Sequence, residues 1–184
     1  YSESLFTEYY FGKAAGAQYV IGCRALIRND RPIIGTYNVN RSGSSDMYYK
    51  GGNMLHTIRQ LVGNDEKWRQ LLRGMNKTFY HQTVTAAQIE NYMIKESGIN
   101  LKPVFDQYLR TTKIPVLEYR TTATGIQYRW TNTVPNFAMP VRICVNENGP
   151  YQTLKPTAQW QQLALPNVKT LTVDANYYVL CKPL

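Results

Sequence analysis

Near residue 111 the hydrophobic period of this chain changes from about 3.6 to 2, and few folds satisfy both halves. Upstream, apolar residues recur at helical spacing. Downstream of Thr111-Thr112-Lys113-Ile114-Pro115 they alternate with polar ones: Val116, Glu118 and Arg120 against Leu117 and Tyr119. A helical part followed by a β part is an α+β chain.

The helical part divides by its punctuation. Residues 1–29 read as interrupted helix, with Leu5, Phe6, Tyr9 and Tyr10 on one stripe, Gly12 as a break, and Asn29-Asp30 as the stop. Residues 30–45 hold Pro32, Gly35, Asn38, Asn40 and Gly43 and read as a long loop, a kind that is often functional. A helix is predicted over 45–62, closed by Gly63 at C′, and another over 65–80 that turns Trp68, Leu71, Leu72, Met75 and Phe79 inward. Asn64 or Asp65 caps this second helix. Thr85-Ala86-Ala87-Gln88 is a capping box that starts a helix ending at Gly98, and Asn100 caps a last one with Pro103 in its first turn.

In the β part, Ala123-Thr124-Gly125 is a turn between two alternating runs, the second carrying Ile126, Tyr128 and Trp130. Met139–Val145 reads as a strand followed by the turn Asn146-Glu147-Asn148-Gly149, and Leu165-Pro166 as a break. Val168–Val173 and Tyr177–Cys181 are expected to form a final pair joined by Asp174-Ala175-Asn176. Short strands at this spacing predict a small antiparallel sandwich.

The stretch Asp46–Arg59 is the centre of the helical part. Ser44, Ser45 and Asp46 offer N-cap side chains, and Met54, Leu55, Ile58, Leu61 and Val62 fall on one face. Gly51-Gly52 is the anomaly. Two glycines inside a helix are unfavourable by about 1 kcal/mol each against alanine. Such a pair predicts close approach of another helix or of a ligand on that side.

Charge and cysteines narrow the function classes. The net charge of +9 is shared between the halves, with surpluses of +5 over residues 1–112 and +4 over 113–184 and no basic run. This fits a solvated basic surface and not a nucleic-acid interface. No apolar run reaches the ~18 residues of a membrane span. The chain has no initiator Met and reads as starting inside a helix, so a fragment of a longer protein is expected, and no compartment can be assigned. Cys23, Cys144 and Cys181 include no CxxC pair. A structural zinc site is not expected, and Cys144 and Cys181 could pair or stay as buried thiols.

Tyr48-x-Lys50-Gly51, followed by an apolar helix to Arg59, resembles a motif of the zinc aminopeptidases of the gluzincin clan, the alanyl aminopeptidase and leukotriene hydrolase family. Trp68-Arg69-x-Leu71-Leu72 and Thr83-Val84-Thr85 are similar to the helical segments that follow it there. Phe105–Thr112 with Ile114-Pro115-Val116-Leu117 is similar to that family's exit into a β-sandwich, and Tyr128-Arg129-Trp130 and Phe137–Val141 to strands of the sandwich. The resemblance implies the helical C-terminal part of a thermolysin-like peptidase domain over 1–112 and a small antiparallel β-sandwich domain over 113–184. It implies that Tyr48 is catalytic, its hydroxyl donating a hydrogen bond to the oxyanion of the tetrahedral intermediate. Tyr49 is the rival, and the spacing to Lys50-Gly51 selects Tyr48.

In that family, zinc is held by HExxH and by a glutamate on the following helix. HExxH is absent here, and by this resemblance the chain begins just past the third ligand. His56 is expected to be a core or interface histidine, His81 a capping or surface residue, Glu3 and Glu8 exposed helix residues, and Arg59 a surface or salt-bridge residue. The chain is therefore expected to bind no metal or cofactor and to be inert alone. Zinc and peptide substrates would belong to the parent protein, with the remainder of the same polypeptide as partner. The other class is a non-catalytic binding module, a helical bundle plus β-sandwich recognising protein or glycan. A fully packed face around Tyr48, with no cleft, would favour it.

Overall fold

The structure is a computed structural model and describes residues 1–37, 39, 43–146, 149–165 and 167–184. Helices come first: α1 (Ser2–Phe11), α2 (Lys13–Gly22), a 3₁₀ turn (Cys23–Leu26), α3 (Asp46–Val62), α4 (Asp65–Thr78), α5 (Ala86–Ser97) and α6 (Lys102–Arg110). Strands follow: β1 (Val116–Thr122), β2 (Gly125–Thr131), β3 (Val141–Val145), β4 (Gln152–Leu154), β5 (Gln161–Ala164), β6 (Leu171–Val173) and β7 (Leu180–Pro183). The change from helix to strand falls between Arg110 and Val116, where the period changes.

Most helix ends follow the sequence punctuation. Gly63 takes φ +65° and its N–H donates to the Arg59 carbonyl, the left-handed stop that a glycine accepts without strain. The Asn64 side chain accepts from Lys67 N at 2.8 Å and caps α4. Thr85 and Gln88 form both bonds of the capping box of α5. The start of α3 differs. Ser45 is its N-cap without a side-chain bond, and Asp46 instead accepts from the backbone N–H groups of Arg28 (2.9 Å) and Asn29 (2.7 Å). Those amides follow the 3₁₀ turn, have no helical partner, and outbid the first turn of α3 for the buried carboxylate. Leu101 stands at the N-cap of α6, while Asn100 accepts from Lys102 N at 3.3 Å.

The apolar stripe of α1 faces outward: Phe6, Tyr9 and Tyr10 are 61%, 82% and 62% exposed, and the one buried residue of the helix is Ser4. The close crossing lies between α1 and α2, not at Gly51-Gly52. A Cβ on Gly16 would stand 2.6 Å from Glu8 Cβ and 2.9 Å from the Ser4 carbonyl oxygen. A Cβ on Gly52 would meet Val20 and the Tyr1 backbone at an ordinary 3.8 Å, and one on Gly51 nothing nearer than 4.0 Å.

β1 and β2 form the predicted antiparallel hairpin, with Leu117 opposite Trp130 and Tyr119 opposite Tyr128. The last two strands do not pair with each other. β6 pairs antiparallel with β3, and β7 pairs parallel with β1, giving one sheet of order β5-β2-β1-β7 and another of order β4-β3-β6. Asp174–Val179 carries the chain from one sheet to the other, so what reads as a tight turn is a crossover. β3 starts at Val141, not Met139; Pro140 has no N–H for a ladder, and the Met139 carbonyl is taken by the Trp130 indole N–H at 3.0 Å. Asn38, Asn40, Glu147, Asn148 and Pro166 of the predicted loop and turns lie outside the described residues. The three cysteines are free thiols, with Cys144 and Cys181 in different sheets.

One cluster of buried apolar residues runs from Trp68, Leu71, Phe105 and Tyr108 of the helices to Leu117, Ile126, Trp130, Val141 and Ile143 of both sheets. Polar bonds fix the crossover to the helices. The Tyr108 hydroxyl donates to the Tyr178 carbonyl, Tyr178 N–H donates to Thr57 Oγ1 at 3.0 Å, and His56 Nε2 meets Asn176 Oδ1 at 2.9 Å.

Candidate functional site

α3 is buried on nearly every side, and much of what it buries is polar. Asp46, Lys50, Asn53 and Thr57 follow one another at helical spacing and each is 0–1% exposed. Each has partners, as buried polar groups require. The Lys50 ammonium donates to the Thr111 carbonyl at 2.7 Å, which ties the start of α3 to the end of α6, and burial pushes this lysine below its ordinary pKa. Asn53 donates to the Val20 and Tyr49 carbonyls and accepts from Arg24 Nε at 2.6 Å. A helix held this way is a rigid mount for the side chains on its remaining face.

Tyr48 is on that face. It is 69% exposed and lines a cavity of about 240 Å³ with Tyr49, Gly52, Tyr19, Cys23 and the first residues of α1, Glu3 among them. The cleft around Tyr48 therefore exists. Tyr49 lines it too but is half-buried, so Tyr48 is the freer phenol. The bare Gly52 forms part of the wall, so the second glycine of the pair borders open space as well as Val20.

Glu3 is the carboxylate of this cavity. It accepts a 2.8 Å hydrogen bond from the Tyr19 hydroxyl, and that bond pushes the Tyr19 phenol above its ordinary pKa. Glu3 is exposed, as the sequence suggests, but its place beside Tyr48 was not readable from its neighbours in the chain. A second hollow of about 1100 Å³ lies beside Met47, the residue before Tyr48, and is walled by Ile33, Ile34, Val84 and Ala86.

The other candidates fall elsewhere. His56 is 3% exposed and burial lowers its pKa; it is a core histidine bonded to Asn176. His81 is exposed at the end of α4 with φ +53°, against the ring of Tyr80. Arg59 is not at the surface: 6% exposed, it makes two bonds of 2.5 and 2.7 Å to Glu8 and one of 2.8 Å to Asp65. The ion pair with Glu8 raises the pKa of Arg59, and Arg59 draws the Asp65 carboxyl down to about 2. Glu8 is thus a half-buried partner of Arg59 and not an exposed helix residue.

Among the described residues no group of three His, Cys, Asp or Glu side chains could hold a metal ion. Zinc takes three or four protein ligands, and the cavity offers one carboxylate, so these residues do not make a zinc site by themselves.

No protein-family model matches this chain, and no curated protein matches it. Its fold has a counterpart in a peptidase structure. Aminopeptidase A of Legionella pneumophila, solved in complex with aspartic acid, superposes with a TM-score of 0.66 over 97% of this chain. The two are 14% identical, and the chain spans 22% of the length of that protein, so the likeness is one of fold.

Proposed function

We propose that this chain is part of a zinc-dependent aminopeptidase that hydrolyses N-terminal peptide bonds, with Tyr48 as oxyanion stabiliser. The observation that carries the reading is the placement of Tyr48. Its phenol is exposed, opens on a cavity that also holds Glu3, and stands on the first turn of a helix whose other sides are fixed by buried bonds. The motif Tyr48-x-Lys50-Gly51 and the fold shared with part of an aminopeptidase support it.

In this reading the zinc and the group that activates water belong to segments other than this chain, which would be inactive alone. The part played here is that of Tyr48. As water adds to the first peptide carbonyl, negative charge grows on the carbonyl oxygen, and a phenol O–H aimed at that oxygen stabilises the transition state more than the ground state. Residues 1–112 belong to a thermolysin-like peptidase domain and 113–184 to a β-sandwich domain. The exposed Phe6, Tyr9, Tyr10 and Phe11 of α1 form the face that the rest of the polypeptide covers.

The test is the full-length protein, wild type and Tyr48→Phe, assayed on amino-acid anilides with zinc measured by elemental analysis. Retained zinc with a rate lower by about 10²–10³ supports the assignment. A wild-type rate in Tyr48→Phe removes it. A parent that holds no zinc and cleaves nothing leaves the binding-module reading in its place.

A further inference from the structure

We propose that Lys50 is a positioning residue for Tyr48: its buried ammonium fastens the first turn of the central helix to the junction between the helical and β parts, so that the β part helps to fix the phenol. The proposal rests on reading Tyr48 as the oxyanion donor.

The first turn of a helix is held least by its own backbone, because its amides lack the carbonyls four residues back. Tyr48 is the third residue of α3, and its N–H donates to the Ser45 carbonyl at 3.2 Å. Two side chains hold this turn from behind. Asp46 takes the Arg28 and Asn29 amides, and Lys50 takes the Thr111 carbonyl. At 3.6 residues per turn, Tyr48 stands about 200° around the helix axis from both. The anchors are therefore buried on one side while the phenol leaves from the other, 69% exposed.

Packing alone does not account for a lysine here. Among the described residues the lysines in ion pairs are Lys13, Lys102 and Lys182, all on the surface. Lys50 is 0% exposed, and its Nζ donates to a neutral carbonyl 2.7 Å away. A buried ammonium with a neutral partner is unfavourable against an apolar side chain of the same shape. What it adds is a bond across to Thr111, the C-cap of α6, where free carbonyls and the negative end of the helix dipole favour a cation.

The far end of that bond is itself fixed. Thr111 Oγ1 donates to the Gln107 carbonyl at 2.6 Å and accepts from the Lys113 N–H at 3.1 Å. Gln107 is fully buried. It donates to the carbonyls of Lys113 (2.8 Å) and Asn132 (3.2 Å) and accepts from the Val134 N–H (2.7 Å). Asn132 directly follows β2. A path of hydrogen bonds thus runs from the turn that carries Tyr48 to the end of the β1–β2 hairpin. An oxyanion donor is effective only when its O–H is aimed in advance, and this path aims it from behind.

The experiment uses the full-length protein, as wild type, Lys50→Met, Tyr48→Phe and the double variant. It reads zinc content, and kcat and KM on amino-acid anilides, well below the lowest thermal midpoint of the set. Lys50→Met keeps the length of the side chain and removes the donor. It is expected to retain zinc and to lower kcat by about 10–100-fold, the scale of a misplaced catalytic group. KM should stay unchanged, because the phenol acts in the transition state. In the Tyr48→Phe background the same substitution should change nothing, since the group it positions is already gone. A wild-type kcat in Lys50→Met overturns the proposal. So does a loss that follows loss of zinc, one that appears in KM alone, or one as large without the Tyr48 hydroxyl as with it. Should Lys50→Met not fold, Gln107→Met makes the same test at the other end of the path; failure of both to fold overturns the proposal and leaves the path to stability alone. A fully active Tyr48→Phe sinks the reading of Tyr48 and this proposal with it, whereas a slow Tyr48→Phe beside a Lys50→Met of wild-type kcat sinks this proposal alone. A full-length protein without zinc and without activity overturns both.

Discussion

His56 Nε2 and Asn176 Oδ1 are 2.9 Å apart, joining the central helix to the crossover between the two sheets across 120 positions of sequence. The amide oxygen can only accept, so the imidazole carries its proton on Nε2. Nδ1 is then a bare lone pair, buried without a partner. Protonating it would place an N–H with no acceptor in the core, and the nearby Arg59 and Arg24 charges oppose it further.

A pH dependence follows. Burial holds the folded pKa of His56 below the ordinary 6.5, so the unfolded chain takes up the proton first. The contribution of this site is complete above about pH 6.5 and declines as pH falls below it. The thermal midpoint should drop between pH 7 and 5, and His56→Gln should flatten that slope. An unchanged slope in the variant would assign the drop to other groups. The Asp65 carboxyl, held at about 2 by Arg59, adds a separate loss at lower pH, setting in below its ordinary value of 3.8 as protonation breaks the pair.

Arg59→Met should destabilise the protein strongly. It removes a nearly buried guanidinium that links α1, α3 and the start of α4, and leaves the half-buried Glu8 without its cation. Because Glu8 and Asp65 keep some access to water, about 2–4 kcal/mol is expected, below the upper range for a fully buried pair. Denaturant unfolding measures it. Arg59→Lys should recover only part, since an ammonium cannot make the forked contact.

The glycines of the helical part should respond in opposite ways. Gly16→Ala forces a Cβ against the Glu8 side chain and Ser4 backbone and is expected to lower stability by about 1–3 kcal/mol. Gly51→Ala meets open space and should raise stability by up to about 1 kcal/mol through helix propensity. Equal effects of the two substitutions on the unfolding midpoint would contradict the placement of the close crossing.

Thr57→Val keeps the shape of the side chain but removes the acceptor for Tyr178 N–H and the donor to the Asn53 carbonyl. A buried amide left without a partner is unfavourable by about 1–3 kcal/mol. Faster hydrogen exchange at the Tyr178 amide should accompany the loss of stability. Exchange at the wild-type rate would show that another group takes the amide.

The sequence was informative where the chain's own neighbours decide the outcome. The left-handed stop at Gly63, the box of Thr85 and Gln88 and the 123–125 hairpin turn each need only residues a few positions apart. β4 and β5, with three and four residues and a largely polar make-up, gave no periodic signal. The apolar stripe of α1 was visible but its exposure was not, because periodicity reports that a helix is two-sided without saying what covers either side. Of the residues around the candidate cavity, Tyr48 was singled out by its motif; Glu3 and Tyr19 were not, since 16 positions separate them and only a close helix crossing brings them together.

By itself, then, the sequence determined the α-before-β order, most element ends and the extent of the central helix, because periodicity, caps and turn residues act over one or two turns of chain. Tertiary structure decided the parallel pairing of β7, the burial of Arg59 and the meeting of Glu3, Tyr19 and Tyr48 at one cavity. Each of these depends on distant segments competing for the same buried surface or the same hydrogen-bonding groups, and that competition is settled only when the whole chain packs.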